Sequence, residues 1–334
     1  MIVSRIYQDF YDLREKPYNL TPDPKFLCLT DKHQEALDHL LYGLEQKTGF
    51  LMLLGEVGAG KTTICRALLE RLDDRYSTAL LLHPFLAEED LLANILRDLG
   101  LTPQGNSKRE LLDQLYRFIL DRRAEGKTVV LIFDESQNLS PRVLEEIRIL
   151  SNLETDQEKL IQIILIGQRE LEAKLARKDL RQLNQRIGVR YYLEPLNREE
   201  TGRYLNHRLQ VAGSGGRIRF TPGAVREVFA FSKGIPRLIN LAADRALLAG
   251  YVQETKTISR KMARQGIASL SGRAESGKTY WGPEPLSPVS LLVLVLIVLG
   301  GFTVLWLGSE YLNWWGTANK IVQVIPAGFI QEQV

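Results

Sequence analysis

The run Gly55-Glu56-Val57-Gly58-Ala59-Gly60-Lys61-Thr62 constrains this chain more than any other segment, because it stands directly between an apolar stretch, Phe50 to Leu54, and a helical pattern, Thr62 to Leu72. A strand, a glycine-rich turn and a helix start in immediate succession gather backbone N–H groups around one point at the positive end of a helix. Glycine lets a backbone turn that tightly. Such a cup takes a phosphate group, and the spacing GxxxxGK[ST] assigns Lys61 to the β- and γ-phosphates of a nucleotide and the Thr62 hydroxyl to Mg²⁺, with Thr63 continuing the helix start. A second stretch, Gly272-Arg273-Ala274-Glu275-Ser276-Gly277-Lys278-Thr279, has the same spacing letter for letter. No apolar strand precedes it, and the Tyr-Trp-Gly-Pro-Glu-Pro that follows cannot open a helix, so it reads as coincidence.

The surroundings of the first run predict an α/β fold. Short apolar runs at Phe50 to Leu54, Thr78 to Leu82, Val129 to Phe133, Leu160 to Ile166 and Val189 to Leu193 alternate with amphipathic stretches of helical spacing. That alternation predicts a three-layer αβα core with a parallel five-stranded sheet, over residues 46–195. Ahead of it, residues 1–45 read as a strap rich in aromatics and proline followed by one helix, capped by Thr30 or Asp31. After Pro195 the strands stop, and helical patterns at Arg198 to Ala212, Pro222 to Phe231, Pro236 to Ala249 and from Ile258 predict an α-helical lid over residues 196–268. With 334 residues, 45% hydrophobic and 25% charged, the chain is long and apolar enough for a full core. Cys28 and Cys65 lie far apart, and His33, His39, His83 and His207 show no metal-ligand spacing, so neither a disulfide scaffold nor a zinc site is expected.

A nucleotide cup needs acid beside it. Val129-Val130-Leu131-Ile132-Phe133-Asp134-Glu135 ends an apolar strand in two carboxylates, Asp134 placed to hold Mg²⁺ and Glu135 to orient and polarise an attacking water. Gln168, just past the strand Leu160 to Ile166, is a candidate polar sensor contacting the γ-phosphate or the attacking water. Arg181 and Arg186 fall on a helical stretch before the fifth strand, where either could reach a neighbouring subunit's nucleotide. Arg237 opens a lid helix after Gly234-Ile235-Pro236 and could swing onto the phosphates.

Toward the C-terminus, residues 269–288 are dense in Ser, Gly and Pro and read as a linker. Val289 to Leu307 then carries no charge and would span roughly 28 Å as a helix, which predicts a transmembrane helix. Trp306, Tyr311, Trp314 and Trp315 fit the headgroup level. Arg260, Lys261, Arg264, Arg273 and Lys278 precede the run and only Lys320 follows it. The expectation is a single-pass protein of the bacterial inner membrane, its large domain cytoplasmic and the tail 308–334 periplasmic.

The combination Phe10-Tyr-Asp-Leu-Arg-Glu-Lys-Pro-Tyr-Asn-Leu-Thr-Pro-Asp-Pro24, the glycine-lysine run, Phe133-Asp-Glu-Ser-Gln-Asn-Leu139, Leu165-Ile-Gly-Gln-Arg-Glu-Leu171, Leu180-Arg-Gln-Leu-Asn-Gln-Arg-Ile187 and Gly234-Ile-Pro-Arg-Leu-Ile-Asn240 resembles the general secretion pathway protein A family, the ExeA-like AAA+ ATPases. The likeness runs from about residue 7 to residue 250, and the apolar run behind it also fits. It implies Mg²⁺-dependent ATP hydrolysis, with Gly55, Gly60, Lys61, Thr62, Asp134 and Glu135 in the roles given above. It further implies a homo-oligomer and a GspB-like membrane partner in assembling a type II secretion secretin or a related pilus or polysaccharide-export system. Too few residues follow position 307 for a folded wall-binding module, so direct peptidoglycan binding is not expected of this chain. Ser136 stands where that family usually has alanine, a change expected to be harmless. The competing reading is a DNA-associated AAA+ regulator resembling transposon target-selection ATPases. A net charge of only +3 and the lack of a basic arm speak against nucleic acid as a partner.

Overall fold

The sheet forms where the sequence is apolar without interruption. β1 (Phe50–Gly55) and β4 (Ile161–Gly167) are buried at every position, and β3 (Thr128–Phe133) at all but its first. With β2 (Tyr76–Leu81) and β5 (Ile187–Leu193) they make a five-stranded parallel sheet in the order β2-β3-β4-β1-β5. The protein is described by a computed structural model that covers residues 7–21, 23–82, 88–105, 107–153 and 159–270, all within one compact unit.

Side chains alternate across the sheet and define its two outer layers. On one face Leu51 and Leu53 of β1, Val130 and Ile132 of β3 and Ile164 and Ile166 of β4 meet helix α2 (Asp31–Glu45) and helix α3 (Lys61–Arg71); α1 (Gln8–Tyr11) is a single turn near the N-terminus. On the other face Phe50 and Met52, Leu131 and Phe133, and Ile163 and Leu165 pack against α4 (Leu91–Asp98), α5 (Lys108–Ala124), α6 (Pro141–Leu150), α7 (Arg169–Leu175) and α8 (Arg181–Arg186). The register Leu54↔Gly167 and Phe133↔Leu165 brings the carboxyl ends of β1, β3 and β4 side by side, which is where open α/β sheets hold their ligands.

Helices α9 (Arg198–Val211), α10 (Pro222–Ser232), α11 (Pro236–Val252) and α12 (Arg260–Leu270) follow. Each of the first three starts where the sequence marks a start: Asn197 and Glu200 form a capping box, Thr221 caps α10 ahead of Pro222, and Pro236 opens α11. Strands do not stop entirely at Pro195, since β6 (Arg219–Phe220) and β7 (Thr257–Ile258) pair in parallel, two residues being too short for a period to register in sequence. Nor is the N-terminal strap wholly extended: α1 and a tight turn at Pro24–Phe26 interrupt it. Tyr7, Tyr11, Tyr18 and Phe26 of that strap are buried in the core of α9 to α12, while α2 belongs to the sheet. The Tyr11 and Tyr18 hydroxyls donate to the carbonyls of Leu247 and Leu205, each at 3.0 Å, so buried phenols find partners.

The inner-membrane, single-pass localisation expected from the sequence is corrected here. Among the described residues no helix is long and apolar enough to cross a membrane. α5 and α11, 17 residues each, reach only about 26 Å and carry charges along their length. The apolar run 289–307 on which that expectation rested, the tail 308–334, the linker after residue 270 and the second glycine-lysine run at 272–279 lie outside the described residues.

Candidate nucleotide site

β1 delivers its chain at Gly55 into a loop that can close only with glycine at two points. Gly58 has φ +78°, and a Cβ there would stand 2.6 Å from the Cβ of Arg237. Gly60 has φ +106° and caps α3 in the left-handed region. The loop is tied internally by Ala59 N–H donating to the Glu56 carbonyl at 3.1 Å, and to α11 by Arg237 N–H donating to the Gly58 carbonyl at 3.3 Å.

Lys61 is the first residue of α3 and only 5% exposed. Its Nζ donates to the carbonyls of Gly55 at 3.0 Å and Glu56 at 3.1 Å, which holds the amine over the loop. Burial pulls this ammonium below the ordinary lysine range, against the opposing pull of the Glu135, Asp134, Glu56 and Glu170 carboxylates. Next to it the Thr62 hydroxyl donates to Asp134 Oδ2 at 2.8 Å. Asp134 is 4% exposed and fixed by its own backbone N–H to the Leu81 carbonyl, while its Oδ1 accepts from Glu135 N–H at 2.8 Å.

Glu135 has φ +51°, a left-handed conformation uncommon for a residue with a side chain and one that clusters at functional sites. The chain thereby turns sharply off β3 and sends the Glu135 side chain into the cleft. Gln137 Nε2 donates to Glu135 Oε2 at 2.5 Å and Gln168 Nε2 to the same oxygen at 3.2 Å. Ser136, fully buried, donates its hydroxyl to the Phe133 carbonyl at 2.7 Å, which removes any cost of carrying serine there.

Lys61, Thr62 and Glu135 border a cleft of about 370 Å³. Val57, Gly58, Gly60, Lys61, Thr62 and Thr63 form one wall and Glu135 stands at the foot; Pro236, Arg237 and Asn240 of α11, Tyr204 and Arg208 of α9, and Asn19, Leu20 and Thr21 of the strap form the rest. Gly55 lies beneath the loop, Ala59 is buried toward α2 and α3, and Glu56 faces away from the cleft, accepting from Tyr192 Oη at 2.8 Å and pairing with Arg169 at 3.2 Å. Gln168 touches Glu135 without lining the cleft. Arg181 and Arg186 do not line it either: Arg181 is exposed on α8, and Arg186 donates to Ser151 Oγ at 2.7 Å.

Two groups at this site were not singled out by motif. His33, 5% exposed, shares a 2.7 Å hydrogen bond with the Thr30 hydroxyl through Nδ1 and turns its other edge to the loop, bonding the backbone of Ala59. Its signal was the Thr30-x-x-His33 spacing of a capping box, here with an imidazole in the place usual for glutamate. Arg208, buried in α9, donates to the carbonyls of Pro17 at 2.5 Å and Asn19 at 3.4 Å and to Tyr204 Oη at 2.9 Å, which clasps the strap to the cleft's edge. Nothing in sequence links residues so far apart.

Residues 44–175 match the AAA domain family. Among solved structures the fold is similar to the ORC2 protein of Aeropyrum pernix in its ADPNP–ADP complexes, with a TM-score of 0.56 at 18% identity over 76% of this chain and 71% of that one. It is also similar to Cdc6p of Pyrobaculum aerophilum, with a TM-score of 0.54 at 18% identity over 75% of this chain and 71% of that one. Identities so low speak to the fold alone. Sheet order, phosphate loop, paired carboxylates and family match define an α/β P-loop domain of the AAA+ class. Within that class, general secretion pathway protein A of Aeromonas hydrophila is 41% identical over 322 residues, 96% of this chain and 57% of that protein. The chain belongs to the general secretion pathway protein A family, and it spans little more than half the length of that relative.

Proposed function

We propose that this chain binds ATP with Mg²⁺ in the cleft, hydrolyses it, and uses the cycle to assist assembly or placement of an envelope secretion or export complex. The observation that carries the catalytic part is the contact of Thr62 Oγ1 with Asp134 Oδ2 at 2.8 Å, with the Glu135 side chain in the same cleft. A hydroxyl and a carboxylate oxygen are the hard donors Mg²⁺ prefers, and two protein ligands suit an ion that keeps waters and phosphate oxygens in its other positions. Once bound, Mg²⁺ supplies charge neutralisation on the phosphate oxygens.

The remaining work falls to the chain's own groups. Loop N–H groups and the start of α3 hold the β-phosphate, and Lys61 exchanges its two carbonyl acceptors for phosphate oxygens, whose charge offsets the burial of its ammonium. Glu135 takes a proton from water as the water oxygen bonds to the γ-phosphorus; the bond from that phosphorus to the β–γ bridging oxygen breaks, and ADP and phosphate leave. Gln168 orients Glu135, and Arg237, one residue into α11, meets the phosphates as the helices α9 to α12 close as a lid. Asn19, Leu20 and Thr21, which line the cleft, are the proposed contacts of the nucleoside. Arg181, exposed on α8, or Arg186 serves a neighbouring subunit's nucleotide. The test is steady-state hydrolysis by the wild type and Glu135→Gln: turnover falls roughly 100- to 10,000-fold while nucleotide affinity is kept. Equal rates would remove Glu135 from this role.

The secretion role is supported by the relative's name and by identity that runs across nearly the whole of this chain. A protein component of that complex, of the GspB-like kind, is the proposed partner, with a homo-oligomer as the working form. Deleting the gene should abolish export through one envelope complex, with rescue by the wild type and none by Lys61→Ala. Undiminished export would overturn the assignment.

A further inference from the structure

We infer that Gln137 is a positioning residue for hydrolysis, its amide fixing the Glu135 carboxylate and tying it to the end of β4; this rests on the hydrolytic reading above. Glu135 needs such help because its backbone has left the strand: at φ +51° no ladder holds it. Three hydrogen bonds close a circuit around it. Gln137 Nε2 donates to Glu135 Oε2 at 2.5 Å, Gln137 Oε1 accepts from Gln168 N–H at 3.2 Å, and Gln168 Nε2 returns to Glu135 Oε2 at 3.2 Å. Only a side chain that both donates and accepts can stand at the first corner, and glutamine's length spans it.

The corner itself is anchored. Lys174 Nζ donates to the Gln137 carbonyl at 2.5 Å and to the Leu139 carbonyl at 2.8 Å, so α7 grips the turn that carries Gln137. Gly167 allows the close approach from β4, since a Cβ there would lie 3.1 Å from Gln137 Oε1 and 2.9 Å from Leu171. Both amides bond Oε2, so Oε1 is the oxygen that the circuit leaves facing other partners. Gln137 is absent from the cleft wall and acts through Glu135, so its loss should alter the rate of the step and not the holding of nucleotide. Small displacements of a catalytic group cost large factors in rate, on the order of 100-fold for 1 Å.

The experiment compares Mg·ATP hydrolysis and nucleotide binding by the full-length wild type with Gln137→Leu, which keeps bulk without hydrogen bonds, and Gln137→Glu, which keeps shape but sets an acceptor against a carboxylate. Each should lose roughly 10- to 100-fold in kcat, with KM and nucleotide Kd within about twofold of wild type. In a Glu135→Gln background the same Gln137 changes should alter the residual rate less than about twofold, because the group they position is already gone. Retained nucleotide affinity certifies folding, and if Gln137→Leu fails to fold, the isosteric Gln137→Glu carries the comparison. Wild-type kcat in a folded Gln137 variant, or an undiminished loss in the Glu135→Gln background, overturns the inference alone. Absence of turnover in the wild type overturns it together with the hydrolytic reading.

Discussion

Replacing Gly58 with alanine tests the tightest point of the site. The residue holds φ +78°, and placing a side chain in the left-handed region costs about 1–2 kcal/mol. The new Cβ would meet the Arg237 Cβ at 2.6 Å and its Cδ at 3.3 Å. A Cβ is fixed to its backbone, so the start of α11 must retreat, and the 3.3 Å bond from Arg237 N–H to the Gly58 carbonyl is lost at about 1 kcal/mol. Together about 2–3 kcal/mol is expected, which for a domain of this size lowers Tm by about 5–10 °C. Gly100→Ala is the control, because Gly100 has φ +81° with nothing within 4 Å and so bears the backbone cost alone. Thermal melts of both variants, with and without Mg·ATP, should show the larger fall for Gly58→Ala and a nucleotide-induced rise in Tm that shrinks only there. Equal melts and equal nucleotide shifts for the two would refute the reasoning from the Arg237 contact.

Burial lowers the pKa of His33, with the Ala59 backbone and the Glu200 carboxylate opposing. Its folded value therefore lies below the unfolded value of about 6.5, the unfolded chain binds more protons between the two, and this contribution to stability, complete above about pH 6.5, is lost as pH falls through the folded pKa. Denaturant melts across that range should slope this way and flatten in His33→Gln; a slope of the opposite sign would exclude a buried neutral imidazole. Arg208→Ala strands the carbonyls of Pro17 and Asn19 and should cost about 2–4 kcal/mol in chemical denaturation while raising KM for ATP; an unchanged KM would mean the strap does not touch the nucleotide. If Arg181 or Arg186 acts in trans, specific activity should climb with protein concentration and mixing with an Arg→Ala variant should depress it, whereas a flat profile would confine catalysis to one chain.

The sheet could be read in advance because β1, β3 and β4 are apolar from end to end, and the phosphate loop because its chemistry is compressed into eight adjacent residues. Asp134 and Glu135 were legible for the same reason, as an abrupt change from apolar to acidic at a strand's end. What the sequence hid is built from contacts between distant segments. Arg208 reaches back to Pro17 across 191 positions, and Gln137 meets Gln168 across 31. His33 could be noticed only as an unusual capping partner, since its second edge touches a loop 26 positions on. Arg181 and Arg186 could be placed on a helix before β5, yet sequence did not distinguish the exposed one from the one bonded to Ser151. The pairing of β6 with β7 escaped because two residues carry no period.

Every proposed step requires the loop of Gly55 to Thr62 to hold a triphosphate. Titration calorimetry of the full chain with Mg·ATP tests this most directly: one saturable event per chain is expected in the wild type, and its loss in Lys61→Ala with the melting curve preserved. Absence of heat in the wild type, or undiminished binding by Lys61→Ala, would contradict it.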